Sequence, residues 1–326
     1  MVEMLKSDIK KLAYLDNNYI IINPSENRFK GNLIDLNHLP LVSFCIPTKN
    51  NESTIENCLK SIKMQNYPSF EIIIIDGNSS DQTIKIAEKY ADKILIDAGT
   101  YGSACQTGFE ASSGEIIALI DSDIIIPHKN WLFNAVKFFN FSNKVSSVWP
   151  LCEAPQGASS FARLYQTYLH KIFIENRIKK SIGYFGGGNT LFQKKVLLEI
   201  GGIDRSIHWG ADFDWAKKMK DKGYTVVFIY DPLYHDTMRT FRLFYRKQFF
   251  GANTFVKRGF QFMGLTTKEI LYEHFILGTK AMIKGIIIDR DPAWIYFPFV
   301  VLVRVMAYGY ILISSGESSN GGEKIF

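Results

Sequence analysis

A chain of 326 residues is long enough to bury a full core, in one large domain or two smaller ones, and its 47% hydrophobic and 14% aromatic content is rich for a soluble enzyme. The net charge of +6 suits an anionic ligand or an anionic membrane surface and gives no ground for nucleic acid. Four scattered cysteines (Cys45, Cys58, Cys105, Cys152) form no CxxC pair, which reads as buried free thiols in a reducing compartment.

Residues 1–38 show no strong period and read as an N-terminal extension; Met1 to Ile20 carries charges throughout and has no apolar run of the signal-peptide kind, so the catalytic part is expected in the cytosol. Leu41–Ile46 reads as a strand ended by Pro47. A polar loop, Thr48–Glu52, leads to Ser53-Thr-Ile-Glu56, a capping-box pattern with Ile55, Leu59 and Ile62 on one helical face behind it. Glu71–Asp76 is a second buried strand ending in a carboxylate. Gly77–Asp81 makes a turn in which Asp81 can cap the next helix, and Lys93–Ile96 is a short third strand. After a helix near 103–112, Glu115-Ile-Ile-Ala-Leu-Ile runs straight into Asp121-Ser-Asp123. So short an apolar run reads as a strand buried on both faces of a parallel sheet, and such sheets place ligands beyond the carboxyl ends of their strands. In an extended strand Asp121 and Asp123 would point to the same side. Two carboxylates that close call for a cation between them, Mg²⁺ or Mn²⁺ by ligand type, although Asp-Ser-Asp is also good turn chemistry. The β-α alternation predicts an α/β fold with a doubly wound, mostly parallel sheet and flanking helices, an anionic ligand lying over the switch point.

Pro47-Thr-Lys-Asn-Asn-Glu52, Ile75-Asp76-Gly-Asn-Ser-Ser-Asp81, Gly114-Glu-Ile-Ile and Asp121-Ser-Asp123 together resemble the family 2 glycosyltransferases of GT-A fold, over roughly residues 41 to 260. The resemblance implies a GT-A domain over 39–262, a nucleoside-diphosphate sugar as donor and a glycan or lipid-linked acceptor. It places Pro47, Thr48 and Glu52 in the nucleotide pocket, Asp76 on the base, and Asp121 and Asp123 at the diphosphate and its metal, with Asp123 the direct ligand. Gln106 stands where the family usually carries Asn, an amide on a longer arm. In Gly210-Ala211-Asp212-Phe213-Asp214-Trp215 the family register puts the catalytic base on Asp212, with Ala211 replacing a Glu and Asp214 as runner-up. Trp215 is either a sugar platform or a buried helix aromatic. His235, after the strand Tyr224–Tyr230 and Asp231-Pro232, matches the further metal ligand of several relatives; a lone His is also commonly structural.

Val145–Trp149 reads as a further strand and 158–180 as helical, with Gly183–Asn189 a glycine-rich segment that the family turns toward acceptor and sugar. Arg239, Arg242 and Arg246, three and four apart, are expected on one helical face, Arg242 reaching the leaving diphosphate, or meeting anionic lipid with the interleaved phenylalanines. Residues 263–326 read as a helical, membrane-associating region. Ala293–Ile313 is long enough for a bilayer core, but Pro298 and Arg304 (roughly 2.5–3.5 kcal/mol on insertion scales) argue for in-plane or re-entrant association. The expected location is the cytoplasmic face of the cell membrane. The function these features predict is a metal-dependent, inverting glycosyl transfer; a sugar-phosphate nucleotidyltransferase and a non-catalytic membrane scaffold are the rival classes.

Overall fold

A computed structural model describes residues 19–22, 39–140, 144–180, 182–184, 188–237, 239–258 and 260–318. The chain forms two compact units, 1–155 with 177–236, and 156–176 with 237–326.

Among the described residues, the first unit is built on a nine-stranded sheet. Its strands are β1 (Tyr19–Ile22), β2 (Val42–Thr48), β3 (Phe70–Asp76), β4 (Lys93–Ile96), β5 (Ile116–Leu119), β6 (Ile124–Ile125), β7 (Val145–Glu153), β8 (Thr190–Gln193) and β9 (Thr225–His235). The order is β1-β9-β7-β8-β5-β2-β3-β4, with β6 paired to the end of β9. β2 and β5 are buried at every position, as is β3 from Ile72 on, which is why their sequences run apolar rather than alternating. β4 is the edge and keeps a charged, half-exposed pattern. Each Leu or Ile side chain fully buried here is worth about 1.5–3 kcal/mol. The helix Tyr101–Ala111 packs on β2 and β3. It does so through Gly108, where an added Cβ would stand 2.7 Å from Ile75 Cδ1 and 3.0 Å from Cys45 Cβ.

Several local expectations are corrected by tertiary context. β2 continues through Pro47 to Thr48, because Pro47 and Thr48 sit opposite Ile75 and Asp76 of β3. The capping box does not form: the Asn51 carbonyl accepts from both Thr54 N and Ile55 N at 3.0 Å, so a backbone turn starts the helix Ile55–Lys63 and Glu56 pairs with Lys60 instead. β9 runs through Asp231-Pro232 to His235, past an irregularity in its pairing with β7 between Pro150 and Cys152. Part of the expected N-terminal extension, Tyr19–Ile22, is a strand parallel to β9; the rest of 1–38 lies outside the described residues. So do Phe185–Gly187 of the glycine-rich segment. All four cysteines are buried free thiols.

The topology carries four strand ends to one edge. β2, β3 and β5 are mutually parallel. β8 is antiparallel to both β5 and β7, and β9 is parallel to β7, so two reversals restore the direction and His235 ends at the same edge as Thr48 and Asp76. Between β2 and β5 the strand order reverses, the position where open α/β sheets leave a ligand crevice.

The second unit is helical, with Phe241–Arg258, Gly278–Ile287 and Phe297–Ser318 as its longer elements. Arg239 precedes the first of these, so only Arg242 and Arg246 share that helix, and both are exposed. Trp294 stacks on Tyr168 (5.4 Å, 8°), and Asp291 accepts from Tyr168 Oη at 2.5 Å and Arg163 Nη2 at 3.1 Å. Arg304 is turned inward: Nε donates to Gln248 Oε1 at 3.1 Å, Nη2 to Tyr165 Oη at 3.4 Å, and Nη1 to His274 Nε2, whose ring satisfies its Nδ1 on the Ile270 carbonyl.

Candidate active site

β5 stops at Leu119, and Asp121-Ser122-Asp123 forms a turn between β5 and β6 rather than the strand end read from the sequence. The two carboxylates converge all the same. Ile124 N closes the turn on the Asp121 carbonyl at 3.2 Å, and the Asp123 carbonyl accepts from Asp236 N at 2.8 Å, beside the end of β9. His235 arrives from that strand with Nε2 3.1 Å from Asp123 Oδ1 and 3.8 Å from Asp121 Oδ2. One donor atom from each of Asp121, Asp123 and His235 lies within 4.8 Å of the others. Two carboxylate oxygens and an imidazole nitrogen at this spacing suit a divalent cation, leaving further positions for water and substrate oxygens. Burial alone would pull the His235 pKa down, but the adjacent Asp123 carboxylate holds it well above the usual histidine range.

Asp121 is gripped from two sides. Tyr101 Oη donates to Oδ1 at 3.0 Å. Asn189 answers Asp121 twice, with Nδ2 donating to Oδ2 at 3.0 Å and Oδ1 accepting the Asp121 backbone N–H at 2.8 Å. Burial, and after it the charge of Asp121, keeps the Tyr101 phenol protonated, so its hydroxyl can act only as the donor in this contact.

Asp212 sits in the first turn of the helix Ala211–Asp221, which opens after Gly210 at a left-handed φ of 79°. Burial pushes its carboxyl up to about 7; backbone N–H groups at the helix start oppose the shift and the charge of Asp121 adds to it. Asp214, the alternative base, is committed to Lys218 (2.7 Å). Trp215 is fully buried edge-on against Phe192 (5.4 Å, 82°), so it is core and not a sugar platform.

The remaining sequence candidates divide clearly. Thr48 is buried at the end of β2, and its Oγ1 accepts from Asn51 Nδ2 (3.3 Å), which also donates to Ser122 Oγ at 2.7 Å. That amide ties the first loop to the Asp121 turn. Glu52 Oε2 accepts from Gln82 N at 3.0 Å while its own N–H donates to Asp81 Oδ2 at 3.2 Å. Asn50 and Ser80 add a further backbone-to-side-chain bond of 2.8 Å, so the loops after β2 and β3 are zipped together. Pro47 is inside β2. Asp76 is 1% exposed and accepts from Ser79 N at 2.8 Å and Ser79 Oγ at 2.5 Å, which gives its carboxylate a loop-shaping partner. Asp81 accepts from Thr83 N at 2.9 Å from one position before the cap expected of it, since Gln82 stands at the N-cap of the helix Thr83–Ala87 and makes no side-chain cap bond. Gln106 turns toward Ile203 N (Oε1, 2.7 Å) and Glu110 (Nε2, 2.9 Å), so its longer arm holds the Gly202–Ile203 segment. Arg242 belongs to the second unit. Tyr101 and Asn189 were not singled out from sequence; the only signal was an Asn following glycines, which tolerates the left-handed backbone it adopts (φ 68°).

A parallel-rich sheet with flanking helices and an Asp-Asp-His group at its switch point matches the GT-A fold. The profile described as Glycosyl transferase family 2 matches residues 43–201. Glycosyltransferase AglE of Haloferax volcanii is 30% identical over 222 residues, 65% of this chain and 71% of the relative. An uncharacterized glycosyltransferase of Rickettsia typhi, RT0329, is 27% identical over 190 residues, 56% of this chain and 59% of that protein. Among solved structures, the mannosyltransferase PcManGT from Pyrobaculum calidifontis, in complex with GDP-Man and Mn²⁺, superposes with a TM-score of 0.58 at 16% identity, covering 98% of this chain and 95% of that one. The chain belongs to glycosyl transferase family 2, and the protein is a glycosyltransferase.

Proposed function

We propose that the enzyme transfers a sugar from a nucleoside-diphosphate donor to an acceptor hydroxyl or phosphate on a glycan or lipid-linked acceptor, with inversion, in a single in-line displacement. The observation that carries this is the convergence of Asp121, Asp123 and His235 at the switch point, with the charge of Asp121 felt at Asp212. Asp121, Asp123 and His235 would hold Mn²⁺ or Mg²⁺; the imidazole favours Mn²⁺. Such an ion supplies charge neutralisation for a departing diphosphate. Asp212 takes the acceptor proton as the new C–O bond forms. A carboxyl poised near neutrality is suited to that role, and general base catalysis of this kind is typically worth about 10²–10⁴ in rate. The loops after β2 and β3, with Thr48, Glu52 and Asp76, would form the ledge for the base, Pro47 shaping its start. Gln106 would act at one remove, by holding the Gly202–Ile203 segment. The deciding experiment is a screen of nucleotide sugars for slow hydrolysis with Mn²⁺ and with EDTA. At least one donor should release its nucleoside diphosphate with the ion alone; no hydrolysis and no metal-dependent nucleotide binding would sink the reading.

We also propose that the second unit rests on the cytoplasmic face of the cell membrane without spanning it. Pro292–Tyr310 is long and apolar enough to cross a bilayer, with a third of that stretch buried inside the protein. Its inner face carries Arg304 bonded to neutral protein groups, an arrangement that supports in-plane seating over a span. The outer face exposes Ile295, Phe299, Leu302 and Val305, and the neighbouring helix exposes Ile283 and Ile287. Arg242 and Arg246, both exposed, are available to anionic headgroups. The full chain should float with phosphatidylglycerol-containing vesicles, and a Phe299→Asp, Val305→Asp double variant should cut the bound fraction about tenfold with its helix content unchanged. Equal flotation of the two proteins would reject the membrane reading.

A further inference from the structure

We propose that Tyr101 and Asn189 are positioning residues that fix the side chain of Asp121 for cation binding. The inference rests on the reading of Asp121, Asp123 and His235 as a cation site. Left to itself, Asp121 would swing away from Asp123, since two carboxylates at that spacing repel. The structure opposes that motion with three hydrogen bonds to a single residue. Tyr101 takes one carboxylate oxygen and Asn189 the other, at 3.0 Å each. Asn189 also accepts the Asp121 backbone N–H at 2.8 Å, so it senses main chain and side chain together.

Each carboxylate oxygen can accept more than one bond, so the grip leaves Oδ2 able to serve the cluster, where it stands 3.8 Å from His235. The grip itself is constrained. Asn189 is 3% exposed and holds a left-handed backbone (φ 68°) that few residues other than Gly and Asn adopt without strain. Gly188 before it lies close against the gripped carboxylate: a Cβ there would stand 3.2 Å from Asp121 Oδ2, a tight contact that would press on it. Tyr101 comes from the first turn of the helix Tyr101–Ala111, whose start Thr100 caps by accepting from Ser103 N at 3.0 Å. Two separately anchored elements therefore converge on one carboxylate. Partners of this kind, one step behind a ligand, typically change metal affinity by about 10–100-fold when removed.

The test is Mn²⁺ binding itself, followed by the EPR signal of the free ion, with no donor or acceptor present. Asn189→Gly keeps the backbone freedom and deletes the amide; Tyr101→Phe deletes only the hydroxyl. Each variant should bind Mn²⁺ about 10–100-fold more weakly than wild type, while circular dichroism confirms that it is folded. Folded variants with wild-type Mn²⁺ affinity would overturn the proposal and leave a merely structural role. Asp123→Ala separates the two levels. If it binds Mn²⁺ like wild type, the cation site is wrongly placed; if it loses the ion while Asn189→Gly and Tyr101→Phe keep it, only the positioning role fails. Should Asn189→Gly not fold, Tyr101→Phe alone decides, because its loss removes no packing volume beyond one oxygen.

Discussion

Asp212→Asn should abolish transfer, by about 10²–10⁴ in kcat, while leaving Mn²⁺ affinity within a few-fold of wild type and making the metal-free protein more heat-resistant above neutral pH. Activity and stability move in opposite directions here because of how the carboxyl is held. Burial raises its pKa from 3.8 to about 7, so the folded state disfavours the charged form. A group whose folded pKa lies above its unfolded value contributes most below the unfolded value. For Asp212, stability is therefore lost as the pH climbs from about 4 to about 7. Asparagine carries no such penalty and can still accept the backbone N–H groups of the helix start. Melting scans in EDTA should superpose for the two proteins at pH 4 and separate at pH 8 in favour of the variant. At saturating Mn²⁺ the wild-type kcat/KM should fall on the acid side, as Asp212 takes up the proton that its burial favours. A variant that turns over at the wild-type rate would move the base elsewhere; Asp214 is then an unattractive substitute, because Lys218 already pairs with it.

Asp123→Ala should weaken Mn²⁺ binding by at least about 100-fold and remove metal-dependent transfer, since in the proposed site this carboxylate would be a ligand of the ion and it is the partner of His235. The wild-type protein offers a second, independent signature. Asp123 keeps the His235 imidazole protonated well above its usual range, and a ring that binds a cation must first give up that proton. Cation binding should therefore release a proton, and the apparent Mn²⁺ affinity should rise with pH by up to about tenfold per unit wherever His235 starts protonated. Calorimetry in buffers of different ionisation enthalpy counts that proton directly. An affinity flat between pH 6 and pH 8 would remove His235 from the ligand set.

The parts of this fold that could be read from sequence are those determined by neighbours in the chain. Ile72–Ile75 and Ile116–Leu119 are unbroken apolar runs because each strand has covered faces, and that pattern needs no knowledge of the partner strand. Asp121 and Asp123 were legible as a pair by spacing, although a turn, not an extended strand, brings them together. What sequence could not supply were contacts made at a distance. Pro232 looked like the end of a strand, but pairing with β6 and β7 carries β9 on to His235. Ser53–Glu56 had the residues of a capping box, but Asn51 made the turn first. Gln106 occupied a family position, yet lies hydrogen-bonded to Ile203. Tyr101 and Asn189 are 20 and 68 residues from Asp121, and beyond the glycines before Asn189 nothing in their own neighbourhoods announces the meeting.

The four-residue strand Tyr19–Ile22 has a practical corollary for anyone trimming this protein. A truncation starting at residue 39 would look harmless, since it spares every motif, but it would strip the outer neighbour from Val226–Ile229 and leave their main-chain amides and carbonyls facing water. Bare strand borders of that sort recruit other molecules. The shortened enzyme should therefore self-associate on concentration, an artefact easily mistaken for a native oligomer.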